Sequence, residues 1–453
     1  MSKHVATTRR KRKPMWPLLL LALIAVVFAV WALVSVFKGG GEGADGRSPS
    51  SQGGEVQPGQ DQDEGGGTEP KTEEDLAAQR QALLDEAALL ARGYFYDEAI
   101  TALQNAGELK NEEVDAEIAR IQALKDGLVK YEGQPYHVFF HSLIIYPELA
   151  FDDKGHPAEG YNMWMTTVDE FKAMLPLFLE NNFVLYDITE LLEFDETGKA
   201  KAKDIYLPAG KKPLIISIDD VSYYDYMMPD GFATRLVINS AGDVVTEVKA
   251  PDGTVSQTYD GDVMPIVDQF VKEHPEFSWR GAKGVVAPTG YQGAFGYRIT
   301  DPDWFTEEEF KKLCDDVKAV SARLRETGWQ IACHSYTHNS FWRGDMSLAQ
   351  VKDDLERWKS LMTPYVGETN ILITPFGGRF DAGGDVYNYI VKELGFTIVC
   401  PVGAGMTTTY QSDGMTQDRL NLDGYTMIKH PERISKHFFD PTPIIDPARP
   451  PLD

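Results

Sequence analysis

The chain has 453 residues, 43% of them apolar, enough for two or three domains or for one barrel with appendages. Its formal net charge is -25, and the six Lys/Arg before residue 38 stand without any acid, so the remainder is more acidic still. Such a surface argues against nucleic acid and other polyanions as partners and suits a neutral or cationic polymer.

Residues 1–14 form a basic tail, with Arg9, Arg10, Lys11, Arg12 and Lys13 clustered. Residues 15–37, MWPLLLLALIAVVFAVWALVSVF, carry no charge. As a helix this run would be about 34 Å long, enough to cross a bilayer core of about 30 Å. The basic cluster in front of it predicts a single-pass anchor in the cell membrane, with the chain after it extracytoplasmic. The competing reading is a cleaved signal peptide, for which the run is long and lacks a clear A-x-A site. Residues 38–71 are Gly, Ser, Pro, Gln and acid, the composition of a disordered linker.

Residues 72–132 have helical periodicity. Leu83, Ala87 and Leu90, then Ala99, Leu103 and Ala106, recur at helical steps with Gly93 between, like one tetratricopeptide unit. A third helix, capped by Asn111 and lined by Val114, Ile118, Ile121, Leu124 and Leu128, is expected to cover them. The region reads as a helical spacer packed on the larger C-terminal domain, with a protein- or glycan-binding role as the alternative.

From residue 136 to about 440, β-type apolar runs alternate with amphipathic helices. Expected strands include 138–144, 183–188, 214–219, 284–287, 330–334, 371–376, 396–402 and 425–430. This alternation predicts an α/β fold, a parallel sheet closed into a (β/α) barrel, with its site at the C-terminal strand ends. Residues 232–260 interrupt it with short strands around Gly/Asp turns, a β-meander that reads either as a substrate flap or as a surface insertion. Cys314, Cys333 and Cys400 form no C-x-x-C pair and are expected to be buried thiols.

Three segments carry chemistry. Asp219-Asp220 ends the apolar run Leu214 to Ile218, where carboxylates are costly unless paired or metal-bound. His334 and His338 stand i, i+4 after another apolar run; in a helical turn that spacing would aim both imidazoles at one cation. Ile428-Lys429-His430 closes the series at the expected end of the last strand. Two histidines and a carboxylate suffice for a catalytic divalent cation with open positions. A second carboxylate and a third histidine remain for proton transfer.

In order, Ser-Ile-Asp-Asp, His-Ser-Tyr-Thr-His, Thr-Pro-Phe-Gly and Ile-Lys-His resemble the motifs of the polysaccharide deacetylases, the NodB-homology domain of carbohydrate esterase family 4. The resemblance covers roughly residues 136–440. It implies a distorted (β/α) barrel. It further implies Asp219 as catalytic base, Asp220, His334 and His338 as ligands of one divalent ion, most simply Zn2+, and His430 as general acid. Pro375, Phe376 and Gly377 would form a wall of the substrate groove, with the Phe376 N–H facing the oxyanion. The sequence departs from the family in three places. Ile373 stands where an arginine usually pairs with the base, and Arg379 is the nearest substitute. The stretch 401–410 lacks the Trp and Asp that usually support the acid histidine. The insertion after Asp220 spaces the motifs widely.

The expected function is metal-dependent removal of N-acetyl, or less simply O-acetyl, groups from a cell-envelope glycan such as peptidoglycan. The alternatives are a glycan-binding or sensing module on the same fold and another metal-dependent amide hydrolase.

Overall fold

The computed structural model describes residues 72–344 and 346–452. The basic tail, the apolar run 15–37 and the linker 38–71 lie outside the described residues. Among the described residues no helix is long and apolar enough to cross a membrane.

Helices α1 (Glu73–Arg92), α2 (Tyr96–Gln104) and α3 (Glu112–Asp126) come first. Thr72 and Asp75 form a capping box on α1, and Asn111 caps α3 through the Val114 N–H. Each such cap contributes about 1 kcal/mol. Ala87, Ala99, Leu103, Val114 and Ile121 are buried and share one core with Ile215, Val285, Ala332 and Ile373 of the barrel. The helical region is thus packed on the barrel. Tyr94 lies against Trp279 (ring centroids 4.8 Å) and donates to the Glu276 carbonyl, while Arg280 pairs with Glu98 at 2.6 Å.

The strands that carry the site are β1 (Tyr136–Phe140), β2 (Phe183–Leu185), β3 (Lys212–Asp219), β4 (Gly284–Ala287), β5 (Trp329–Ile331), β6 (Ile371–Ile373), β7 (Ile398–Cys400) and β8 (Leu420–Asn421). All of their pairings are parallel. The order runs β8-β1-β3-β4-β5, with β2 on the first residues of β3. The bridge Cys333↔Leu372 carries the ladder on to β6, β6 pairs with β7, and Val402↔Arg419 returns it to β8. The circuit therefore closes through single bridges at two places, which is a distorted (β/α) barrel.

Alternation along the strands builds two cores. Leu214, Ile216 and Ile218 of β3 face the outer layer, where they join Phe171 of α4 (Val168–Glu180), Val267 of α5 (Val263–Glu273), Val320 of α6 (Glu307–Glu326) and Trp358 of α7 (Leu348–Val366). Ile215 points the other way, into the core shared with α1–α3. Capping boxes start α4, α6 and α7. The interruption after Asp220 is a three-stranded antiparallel sheet of Ala233–Ile238, Val244–Lys249 and Val255–Thr258. Its Ala233, Leu236, Val244 and Val248 are buried in the outer core, so one face of it is committed to packing. The three cysteines are buried free thiols.

Three expectations fail. Leu128 lies beyond α3, in the short strand Leu128–Lys130, and Leu124 is exposed, so neither lines the buried side of that helix. Residues 425–430 are not a strand: Asp423 caps a short helix α8 (Gly424–Lys429) by accepting the Thr426 N–H at 2.7 Å, and the last barrel strand is β8, just before it. The His334–His338 segment is not a helical turn. Ser335 (φ 63°) and His338 (φ 48°) are left-handed, and the loop is held from outside. Buried Asp354 of α7 accepts the N–H groups of Tyr336 and Thr337 and the Thr337 hydroxyl.

Asp262, the N-cap of α5, joins two more loops of this end. It accepts the N–H of Leu143, two residues beyond His141, and the hydroxyl of Tyr223, three residues beyond Asp220. Burial pushes its carboxyl up to about 6, the hydrogen bonds opposing only in part. An unfolded aspartate titrates near 3.9. Between about pH 4 and pH 6 the unfolded chain has therefore lost this proton while the folded chain keeps it, so stability falls as pH rises through that window. Asp262→Asn is expected to lack this loss. The difference in unfolding free energy between variant and parent should move in the variant's favour by about 3 kcal/mol from pH 4 to pH 7. Urea unfolding at both pH values checks it; a pH-independent difference excludes it.

Candidate metal centre

β3 brings Asp219 and Asp220 to the C-terminal end of the barrel. Their side chains diverge because Asp219 is extended while Asp220 is left-handed (φ 57°). Asp219 is 4% exposed and grips a guanidinium with both oxygens, Arg419 Nη1 at 2.6 Å and Nη2 at 3.1 Å. Arg419 is wholly buried, also donates to Ser217 Oγ at 3.1 Å, and lies 4.2 Å over the Phe139 ring. The cation expected near the base is therefore present, but it comes from the segment leading into β8. Arg379, the substitute suggested by sequence, pairs with Asp418 at 2.6 Å and with the Val402 carbonyl. Ile373 is buried, and its carbonyl has another duty.

That duty is to hold His334. The Nδ1 of this 1%-exposed imidazole lies 2.9 Å from the Ile373 oxygen, so Nδ1 carries the hydrogen and Nε2 is left as a ligand atom. His334 Nε2 stands 3.8 Å from Asp220 Oδ1, and His338 Nε2 stands 3.9 Å from Asp220 Oδ2. The three ligand atoms all lie within 4.8 Å of one another. Tyr224 donates to Asp220 Oδ1 at 2.7 Å, and Ser335 Oγ accepts the His338 N–H. Two imidazoles and one carboxylate, with His334 and Asp220 each oriented by a further side-chain hydrogen bond, fit a divalent ion with ligand distances of about 2.0–2.2 Å and open positions.

Burial alone would raise both carboxyls. Arg419 and then His334 hold Asp219 below the ordinary carboxylate range, and His338 and His334 hold Asp220 at about 2. Burial lowers His334, which favours the neutral, ligating imidazole. Asp219 stands 3.9 Å from His334 Nε2, beside the cluster and already bound by Arg419. It lies outside the group of three possible ligands.

Phe376 has a left-handed backbone (φ 55°) in the Pro375–Gly377 turn. Its exposed ring lies 4.4 Å from that of His338, under the Arg343 guanidinium. Gly377 is required here, because a Cβ would meet Val402 Cβ at 2.6 Å on a backbone of φ 70°. His430 follows α8, and its contacts are Tyr425 (3.2 Å) and Glu432 (3.4 Å), not the cluster. A histidine that the motif pattern did not single out also stands at this end of the barrel. His141 directly follows β1, its Nδ1 is 3.0 Å from the Trp164 carbonyl, and its charge acts on Asp219, Asp220 and Asp423 together. Its signal was an imidazole just past an apolar strand, one residue beyond β1, where His334 stands three residues beyond β5.

Residues 303–399 match the polysaccharide deacetylase family model, a segment from just before α6 to within β7 that includes His334, His338 and the Pro375–Gly377 turn. A search of the curated proteins finds no match. Among solved structures, the chain is similar to IcaB from Ammonifex degensii at 10% identity, over 64% of this chain and 92% of that one, with a TM-score of 0.35. The segment that holds His334 and His338 is thus similar to the polysaccharide deacetylases.

Proposed function

We propose that the protein hydrolyses acetyl groups, N-acetyl before O-acetyl, on a cell-envelope glycan such as peptidoglycan. It does so from the outer side of the membrane, to which residues 15–37 anchor it. The observation that carries the reading is a buried Asp219–Arg419 pair beside a cluster of two imidazoles and one carboxylate. A divalent ion held by Asp220, His334 and His338, zinc by its donor set, supplies Lewis acidity and makes water acidic. Asp219 accepts the proton of the attacking water. The Phe376 N–H faces the developing oxyanion. His141, whose field reaches both carboxylates, delivers the proton to the leaving nitrogen; His430, tied to Tyr425 and Glu432, is the second candidate for that step.

The alternative, a glycan-binding module, drew support from the missing arginine at Ile373. Arg419 removes that ground, and the absent fourth-motif Trp and Asp are what remain of it. The separating experiment is acetate release from acetylated glycan oligomers supplied outside intact cells, with and without external protease and chelator. Release should be lost with either treatment. His334→Ala and His338→Ala should each lose most bound metal. His141→Ala should slow amide turnover by about 10² to 10⁴-fold, the usual worth of a positioned acid, and His430→Ala by much less. No release with any divalent ion supplied leaves the binding module standing; an unaffected His141→Ala returns the proton donor to His430.

A further inference from the structure

We infer that Tyr226 and Tyr291, with Tyr224 beneath them, form a stacking platform for an uncharged pyranose ring of the glycan, next to the ring whose acetyl group meets the metal centre. The inference rests on the polysaccharide reading above and names a subsite of the same site.

The platform is attached to a metal ligand by one hydrogen bond. Tyr224, nearly buried, donates to Asp220 Oδ1 and bonds Thr289 Oγ1 at 2.9 Å. Its ring is parallel to that of Tyr226, 5.7 Å between centroids at 11°, and lies 6.0 Å from that of Tyr291. The two outer rings are exposed, Tyr226 at 46% and Tyr291 at 54%, and Tyr226 also lies 5.0 Å from the His156 ring. Large aromatic faces left open at the mouth of a site mark a ligand surface, and their negative faces attract the polarised C–H groups of a sugar.

The chain holds these rings in place at a cost in backbone strain. Tyr223 (φ 50°), Gln292 (φ 59°) and Phe295 (φ 56°) are left-handed non-glycine residues in the two loops concerned. Arg298, 7% exposed, locks the loops to each other. It donates to the carbonyls of Ser222, Tyr223 and Gln292 and pairs with Asp225 at 2.6 Å. The Asp225 N–H donates to Gln292 Oε1, and the Phe295 N–H to the Val221 carbonyl. On the other side, the Gly290 and Tyr291 N–H groups donate to the carbonyls of Ser335 and Tyr336 in the loop of the two histidines. The rings are therefore rigid with respect to both Asp220 and His334, and a rigid surface saves ordering entropy on binding.

The test uses the full chain and β-1,4-linked N-acetylglucosamine oligomers of two and five residues, with affinity measured by calorimetry and acetate release measured in parallel. The parent should bind the pentamer about tenfold more tightly than the dimer. Tyr226→Ala and Tyr291→Ala should each remove most of that gain, about five- to tenfold, while Tyr226→Phe and Tyr291→Phe keep it, because the face and not the hydroxyl does the binding. Circular dichroism confirms that each variant is folded. The proposal is overturned if the parent shows no gain with chain length, or if the gain survives both alanine substitutions. A chain that releases acetate yet keeps its gain in the alanine variants retains the proposed function and loses the platform. A chain that shows the ring-dependent gain and releases no acetate retains the platform and loses the function.

Discussion

Asp219→Asn should keep its metal and lose its turnover. The ligand set, Asp220, His334 and His338, is untouched by the change, and the asparagine is isosteric with the carboxylate that Arg419 grips. What disappears is the proton acceptor, a step commonly worth about 10² to 10⁴-fold in rate. Metal content by elemental analysis should remain at the parent level while acetate release falls by that factor. Asp220→Asn is the contrast, because it removes a ligand and should cost metal as well as rate. If Asp219→Asn loses its metal, the division of labour between the two adjacent acids is wrong. If it retains the parent rate, Asp219 is not the base.

Arg419→Met should be strongly destabilising. The methionine keeps much of the aliphatic stem but loses the guanidinium that lies over Phe139, and it leaves Asp219 buried without its cation. Breaking a buried pair from one side costs about 3–5 kcal/mol. The sign of the pH effect follows from the same contacts. In the parent, Arg419 and His334 hold the folded carboxyl below its unfolded value. That contribution to stability is present above the unfolded pKa, near 3.9, and is lost as pH falls through the folded one. Without the guanidinium the burial penalty prevails, the folded pKa rises, and the contribution is gone at neutral pH. The double variant Arg419→Met/Asp219→Asn removes both charges and should recover much of the stability while staying inactive. Urea unfolding of the three variants decides: equal stability of Arg419→Met and the parent would mean the pair is not the structural support of the base.

The placement of Arg419 also accounts for the departure at Ile373. An arginine was expected at Ile373, in the same short motif as the groove wall, and Arg379 was its nearest neighbour in the chain. In the folded molecule β8 lies beside β1, and β1 beside β3, so the approach to β8 delivers a guanidinium across the barrel interior to an acid 200 residues away. No local pattern encodes such a meeting. It depends on ring closure through Val402↔Arg419, a single bridge. Asp354 was illegible for the same reason, because it holds a loop from a helix that begins ten residues later.

By itself the sequence determined what short-range chemistry can write. The alternation of β-type runs and amphipathic helices specified an α/β barrel, and the capping boxes at Thr167, Thr306 and Ser347 marked helix starts. Acids that end an apolar run are costly unless paired, so Asp219 and Asp220 stood out before any contact was known. The histidine spacing named His334 and His338, although a left-handed loop and not a helical turn converges them. Tertiary structure alone decided which cation faces Asp219, which atom of His334 is free to ligate, and that residues 425–430 turn into a helix. Each of these depends on register between strands distant in sequence, and register is a property of the closed ring, not of any segment in it.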